Sequence, residues 1–180
     1  MEELKKTLSI PKDATKEYIQ QQFELLAKKI LCEYVIIKGE KEYRIIELEF
    51  YFYNENHPDK TVYKRTVQSG RWYSHLSGID ISFESKEDYY GGVLIRSLIS
   101  SKNEIINGPL SSFIELFRDM DIEGKGENVP YIIRKETDCD VEIKSTKRYN
   151  INDDLRYCYY DASASIKWKS SYNAMPSKRE

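Results

Sequence analysis

From Arg44 to Tyr53 the side chains read Arg-Ile-Ile-Glu-Leu-Glu-Phe-Tyr-Phe-Tyr, an alternation with the two-residue period of a strand. One face collects Ile46, Leu48, Phe50 and Phe52, an unbroken apolar set fit for a core. The other carries Ile45, Glu47, Glu49, Tyr51 and Tyr53: two acids two residues apart, then two aromatics. Such a face suits either a solvated outer surface or a site that holds a flat ring beside a carboxylate. Upstream, Ile19, Phe23, Leu26, Ala27 and Ile30 fall at helical spacing, so a helix is expected from a cap at Asp13 or Thr15 to about Leu31. Tyr34 to Ile37, the polar turn 38–41 and Tyr43 to Tyr53 then read as a β-hairpin.

Two short strands are expected at Trp72 to Leu76 and Ile79 to Glu84, about Ser77-Gly78; in the second, Ile79, Ile81 and Phe83 stand opposite Asp80, Ser82 and Glu84. A turn at Gly91-Gly92 precedes a strong strand, Val93 to Ser100, on whose face Arg96 interrupts the apolar row of Leu94 and Leu98. Gly108-Pro109 opens a helix expected to reach Met120, with proline in the first turn where its missing N–H costs nothing. A charged loop spans 121–128; Tyr131 to Glu136, Asp140 to Lys144 and Leu155 to Tyr160 read as further strands, and 163–180 as a peripheral polar tail. These elements describe one domain of the α+β class, a curved, mostly antiparallel sheet with flanking helices.

The length, 180 residues, suffices for one substantial core. Fifteen Tyr, six Phe and two Trp against eight Gly and five Pro mark globular material, not a disordered chain. Twenty-eight basic against thirty acidic residues leave a formal charge of −2, so only a local basic strip would recommend a nucleic-acid partner. Lys60, Lys64, Arg65 and Arg71 supply one. Cys32, Cys139 and Cys158 lack Cys-x-x-Cys spacing and read as reduced thiols; with no apolar leader or membrane-length run, a cytoplasmic protein is expected. Two histidines, His57 and His75, do not suggest a His-rich metal site. No Gly-x-Ser-x-Gly elbow supports serine hydrolase chemistry. His75 and Asp80, five apart on adjoining strands, fit an orienting dyad or a solvated hairpin face, and Arg96 requires an acid or phosphate partner.

The order of motifs resembles the alkyladenine (3-methyladenine) DNA glycosylase family, the compact class without a helix-hairpin-helix. Leu25 to Leu31 stands where that family has a helix ending in Leu-Leu-Gly-Lys, and Arg44 to Tyr51 matches its Arg-Ile-Val-Glu-Thr-Glu-Ala-Tyr strand. His57-Pro58-Asp59 is similar to its Asp/His loop, and Gly70 to His75 to its Gly-x-x-Tyr-x-Tyr hairpin. Val93 to Ser97 matches its Val-Leu-Leu-Arg-Ala strand, and Gly108-Pro109 its helix start. The likeness covers about residues 20–120; Lys147 to Ile151 and Leu155 to Tyr157 are only faintly similar to the closing strands.

The resemblance implies a monofunctional DNA glycosylase, acting in base excision repair on a flipped base, without metal or cofactor and as a monomer. It makes Glu49 the general base that activates water, and Arg96 the group that orients that water or a backbone phosphate. Tyr51 would stack on the base, with His57, Tyr73, His75 and Asp80 lining the pocket and Lys64, Arg65, Arg71, Leu76 and Ser77 meeting DNA. An oxocarbenium-like transition state favours a buried carboxylate, and a base inside a duplex is reachable only when extruded. His75 replaces the family's second pocket tyrosine and Ser77 its wedge tyrosine, leaving Leu76 as the wedge; Asp80 lies near the position of its pocket asparagine. The more polar pocket points to a modified base other than the usual alkylated purines. Two alternatives stay open: excision of modified bases from foreign, such as phage, DNA in defence, and a non-catalytic module that binds nucleic acid or protein.

Overall fold

The computed structural model describes residues 2–119, 128–135, 140–148 and 154–164. The chain starts with a short helix, α1 (Glu2–Thr7), which the pattern did not announce because six residues are too few to show a period. Leu4, Leu8 and Ile10 carry this N-terminal segment into the core. Helix α2 (Lys16–Glu33) is capped by Thr15, whose hydroxyl accepts the Tyr18 N–H at 3.3 Å, and it buries the expected stripe together with Leu31. It stops where Tyr34 turns extended and the β-branched run Val35-Ile36-Ile37 begins. Strands β1 (Tyr34–Lys38) and β2 (Lys41–Tyr53) form the expected hairpin, Lys38 facing Lys41.

Strands β3 (Trp72–His75), β4 (Gly78–Ser82), β5 (Tyr90–Ser100) and β6 (Ile105–Asn107) follow, then helix α3 (Pro109–Phe117) and strands β7 (Tyr131–Arg134), β8 (Ile143–Thr146) and β9 (Cys158–Asp161). The main path runs β3-β4-β5-β2-β1-β7; β6 pairs β5, and β9 pairs both β2 and β8. Every pairing is antiparallel, so the expected α+β domain with a curled antiparallel sheet is what the chain forms. Against it, Phe23 of α2 stacks on Phe50 of β2 at 4.5 Å and 7°, and Phe83 continues the stack 6.3 Å from Phe50. Parallel offset rings of this kind add to what their buried area already contributes.

The central β2–β5 pair breaks register, with Ile45 opposite Leu98, Glu47 opposite Ser97 and Leu48 opposite Ile95. Ile46 and Arg96 are thereby passed over, and each extra residue shifts the alternation by one. The expected apolar faces are corrected accordingly. Tyr43 and Ile45 join Leu48, Phe50 and Phe52 in the main cluster, and Ile46, though buried, lies outside it. On β5 the cluster takes Val93, Ile95 and Leu98, so the supposed row of Leu94, Arg96 and Leu98 is split.

The expected turn at Gly91-Gly92 is also corrected, because both residues belong to β5. A Cβ on Gly91 would stand 2.1 Å from the Tyr51 carbonyl oxygen, and one on Gly92 3.1 Å from both Arg65 Nη1 and Asp80 Cβ. These glycines serve close approach within a strand, not reversal.

Helix α3 ends at Phe117; the rest of its expected span includes Met120, which lies outside the described residues, as do 121–127, Glu136 and 165–180 of the expected tail. Ser163 and Ala164 are tied back by their N–H groups to Asp161, at 2.9 and 3.2 Å. Buried Lys38 donates from Nζ to the carbonyls of Glu115 and Arg118, both at 2.7 Å, which satisfies oxygens the helix end leaves open. Replacing Lys38 by Met keeps the apolar stem and removes both bonds. Urea denaturation should show a loss of about 1–3 kcal/mol, and an unchanged midpoint would mean that the cap contributes nothing.

Cys158 is a buried thiol outside any disulfide, whereas Cys32 is disulfide-bonded and Cys139 lies outside the described residues; the expectation of three reduced thiols is corrected at Cys32, and with it goes the argument drawn for a cytoplasmic location. Among the described residues no helix is long and apolar enough to cross a membrane.

Candidate functional site

On the face of β2 turned from the α2 core, Glu47 and Glu49 lie two residues apart and both are buried, Glu49 with no exposed surface. Arg96, the residue passed over in β5, enters between them. Its Nε donates to Glu47 Oε1 at 2.9 Å, and one terminal nitrogen donates to Glu49 Oε2. Ser97 Oγ donates to Glu47 Oε2 at 2.8 Å and stands 3.1 Å from the Asn107 side chain, which β6 brings alongside. Burial raises the Glu47 pKa, against the opposing pull of Arg96 and Ser97. The partner that Arg96 required is thus the carboxylate pair; Arg44, on the same strand as Glu47, pairs instead with Asp161 at 2.5 Å. A fork of guanidinium donors across two carboxylates fixes both acids in place.

Arg148 approaches Glu49 from the other side, its Nε 3.9 Å from Glu49 Oε1. It donates to the Phe50 carbonyl at 3.1 Å and to the Asp59 carboxylate. Its guanidinium carbon lies 4.3 Å from the Tyr51 ring centre and 4.5 Å from that of Tyr157. Burial, and after it the charge of Glu49, push the Tyr51 phenol pKa upward, so this side chain stays a neutral phenol.

His57, which the resemblance implies lines the pocket, is buried with both ring nitrogens engaged. Its Nδ1 and the Phe52 carbonyl oxygen are 2.7 Å apart, and its Nε2 and the Tyr157 hydroxyl likewise 2.7 Å. A carbonyl only accepts, so Nδ1 carries the proton, and in the neutral ring Nε2 accepts from Tyr157. The Asn54 side chain anchors the His57 backbone N–H at 2.7 Å. Buried on all sides, His57 positions Tyr157.

A second buried cluster sits at the β3–β4 edge. Asp80 Oδ1 and His75 Nε2 are 3.0 Å apart, the expected dyad, and Ser77 donates its N–H to His75 Nδ1 at 3.2 Å. With Nδ1 accepting, Nε2 holds the proton shared with Asp80. Arg65 Nη1 donates to Asp80 Oδ2 at 2.6 Å, and its guanidinium covers the Tyr73 ring at 3.9 Å. Arg65 is therefore corrected as a phosphate contact: it is buried against an acid that needs it, while Lys64 and Arg71 remain exposed. Tyr63 lies beside the His75 ring, centroids 4.7 Å apart. At the hairpin tip Ser77 is exposed and Leu76 is 92% exposed.

The sheet register relates the two clusters. Asp80 pairs with Leu94 and Leu94 with Glu49, so both acids project from one face with backbones about 10 Å apart, two strand spacings. One step along, Ser82, Gly92 and Tyr51 form the next row, where the missing Gly92 side chain admits Arg65. Glu49, Arg96, Tyr51, Asp80, His75 and Tyr73 thus share one side of the sheet.

Asp59, Arg148 and Tyr157 complete the site, although the resemblance that touched their segments gave none of them a role. Asp59 follows His57-Pro58 in a polar loop, and Arg148 sits in the charged run 147–148; neither carries a periodic signal. Two described cavities lie elsewhere: one of about 290 Å³ lined by Trp72, Ile81 and Pro130 to Ile133, another of about 190 Å³ beside Arg44, Ile99 and Lys135. Among the described residues no group of three His, Cys, Asp or Glu side chains could hold a metal ion. No family model matches the chain, and no curated protein or solved structure matches it significantly.

Proposed function

We propose that the protein is a monofunctional DNA glycosylase that hydrolyses the N-glycosidic bond of a modified base in base excision repair. The observation that carries this reading is the buried Glu49 carboxylate, held by Arg96 and set beside the Tyr51 ring on one face of the sheet. In the reaction, water oxygen bonds to C1′ of the sugar as the C1′–N bond breaks. The base leaves with the electron pair and is protonated from solvent, and Glu49 takes the water proton. Arg96 keeps that carboxylate aimed at the water, and Tyr51 offers a face for the extruded base.

The exposed hairpin tip supports the same reading. Leu76 projects from the turn between β3 and β4 with almost no protein contact, where a duplex-opening wedge would stand. A single exposed leucine is ordinary on a surface; its place at the tip, flanked by the site's His75, gives it a task. Leu76→Ser should leave thermal stability within about 0.5 kcal/mol while weakening binding to lesion-bearing duplex more than to single strands. Equal affinity for both DNA forms in wild type and variant would remove the wedge from the account.

The decisive experiment is mass spectrometry of bases released from alkylated, deaminated and phage-derived DNA. Release from the first two supports repair, and release from phage DNA alone moves the substrate to foreign DNA and the role to defence. The polar lining by His75 and Asp80 favours that narrower substrate. One observation favours a binding module without catalysis: Glu49 has no exposed surface and its carboxylate is already engaged. That reading predicts no base release from any DNA while binding persists.

A further inference from the structure

Arg148 is nine-tenths buried, and its polar partners, the Phe50 carbonyl and the Asp59 carboxylate, come from far earlier in the chain. Its guanidinium lies over two phenol rings, Tyr51 and Tyr157. Its edge meets three acceptors: the Phe50 carbonyl at 3.1 Å, the Asp59 carboxylate, and Glu49 Oε1 at 3.9 Å from Nε. Among the described residues that Nε is buried without a hydrogen-bond partner, so the slot does not satisfy its present occupant fully. The space beside Glu49 is thus shaped for a flat, conjugated group with N–H donors along its rim. A guanidinium is one such group; a nucleobase with an exocyclic amino edge is another.

We propose that Arg148 is an intramolecular occupant of the nucleobase slot, and that the slot selects bases bearing an amino donor edge. This rests on the glycosylase reading only for the task given to Glu49; the slot itself stands on Tyr51, Tyr157, Asp59 and the Phe50 carbonyl. Arg148 vacates by rotation of its own long side chain, and the incoming amino edge takes over the acceptors it leaves. Because the open form is the minor one, apparent affinity for a base is lowered by the fraction of chains in which Arg148 is out. The closed state also accounts for an acid without exposed surface in a protein proposed to use it.

The test is binding of free 2-aminopurine, followed by its fluorescence, to wild type, Arg148→Ala and Arg148→Lys, with folding checked by circular dichroism. Lysine retains the charge beside Asp59 but has no flat face to fill the slot. Apparent affinity should rise at least tenfold in both variants, fall back when Tyr51→Ala is added, and stay weak for unsubstituted purine. No gain in the folded variants, or an equal gain for purine, overturns the proposal. Failure of both variants to fold also overturns it, since Arg148 would then be an indispensable strut. Binding is read without bond cleavage, so a chain that binds 2-aminopurine as described but frees no base from DNA refutes the glycosylase and leaves the slot standing.

Discussion

Glu49→Gln should abolish measurable base release while leaving the fold and DNA affinity in place. Glutamine has the size of glutamate and can still accept from Arg96, so the buried guanidinium keeps a polar partner there and the full charge of Glu47 at 2.9 Å. What disappears is the proton acceptor. General-base assistance is worth about 10²–10⁴ in rate, and the carboxylate's electrostatic support of an oxocarbenium-like centre adds to that. Single-turnover release of free base is the measurement, alongside DNA binding by fluorescence anisotropy. Activity within tenfold of wild type in the glutamine variant would remove Glu49 from the mechanism.

Asp80→Ala should produce the largest loss of stability among single changes at the second cluster, about 3–5 kcal/mol. Asp80 faces Arg65 at 2.6 Å and His75 at 3.0 Å, and the Arg65 side chain is 2% exposed. Removing the acid strands a buried guanidinium, whose only other described polar bond runs from its Nε to the Tyr63 carbonyl at 3.1 Å. Adding Arg65→Met to Asp80→Leu should recover most of the loss, because an apolar pair of similar volume has no charge to desolvate. Urea denaturation of the single and double variants is the check. A fully stable Asp80→Ala protein would mean that Arg65 finds solvent or another acid.

Much of the frame was legible in the chain. Helix α2, the β1–β2 hairpin and the β3–β4 hairpin follow from periodicity and from turn or capping residues, which are local properties. The pairing of His75 with Asp80 was legible for a similar reason, since a two-residue turn after His75 leaves Asp80 diagonal to it on the same face of the adjoining strand. Arg96 was legible as a charge needing an acid or a phosphate; that the partner is the acid pair on the neighbouring strand β2 only the structure decided. Arg65 misled because Lys64-Arg65 looks like a wet basic run. Whether an arginine faces water or Asp80 depends on where a loop fifteen residues distant settles. For His57 only the resemblance offered a place in the site; that Phe52 and Tyr157 take both its ring nitrogens is written nowhere in the local sequence.

By itself, the sequence determined most of the elements, though not α1 or the true start of β5, and the acid-acid-tyrosine order along β2, because strand period and helix period are written in consecutive residues. Tertiary structure decided which faces those residues occupy. Two passed-over residues, Ile46 and Arg96, reverse the alternation at the centre of the sheet, and a bulge leaves no mark in composition. It also decided that Arg148, ninety-nine residues after Glu49, comes to rest against Tyr51. Such a contact arises because buried charge must find opposite charge wherever the folded chain brings it, and that search ignores distance along the sequence.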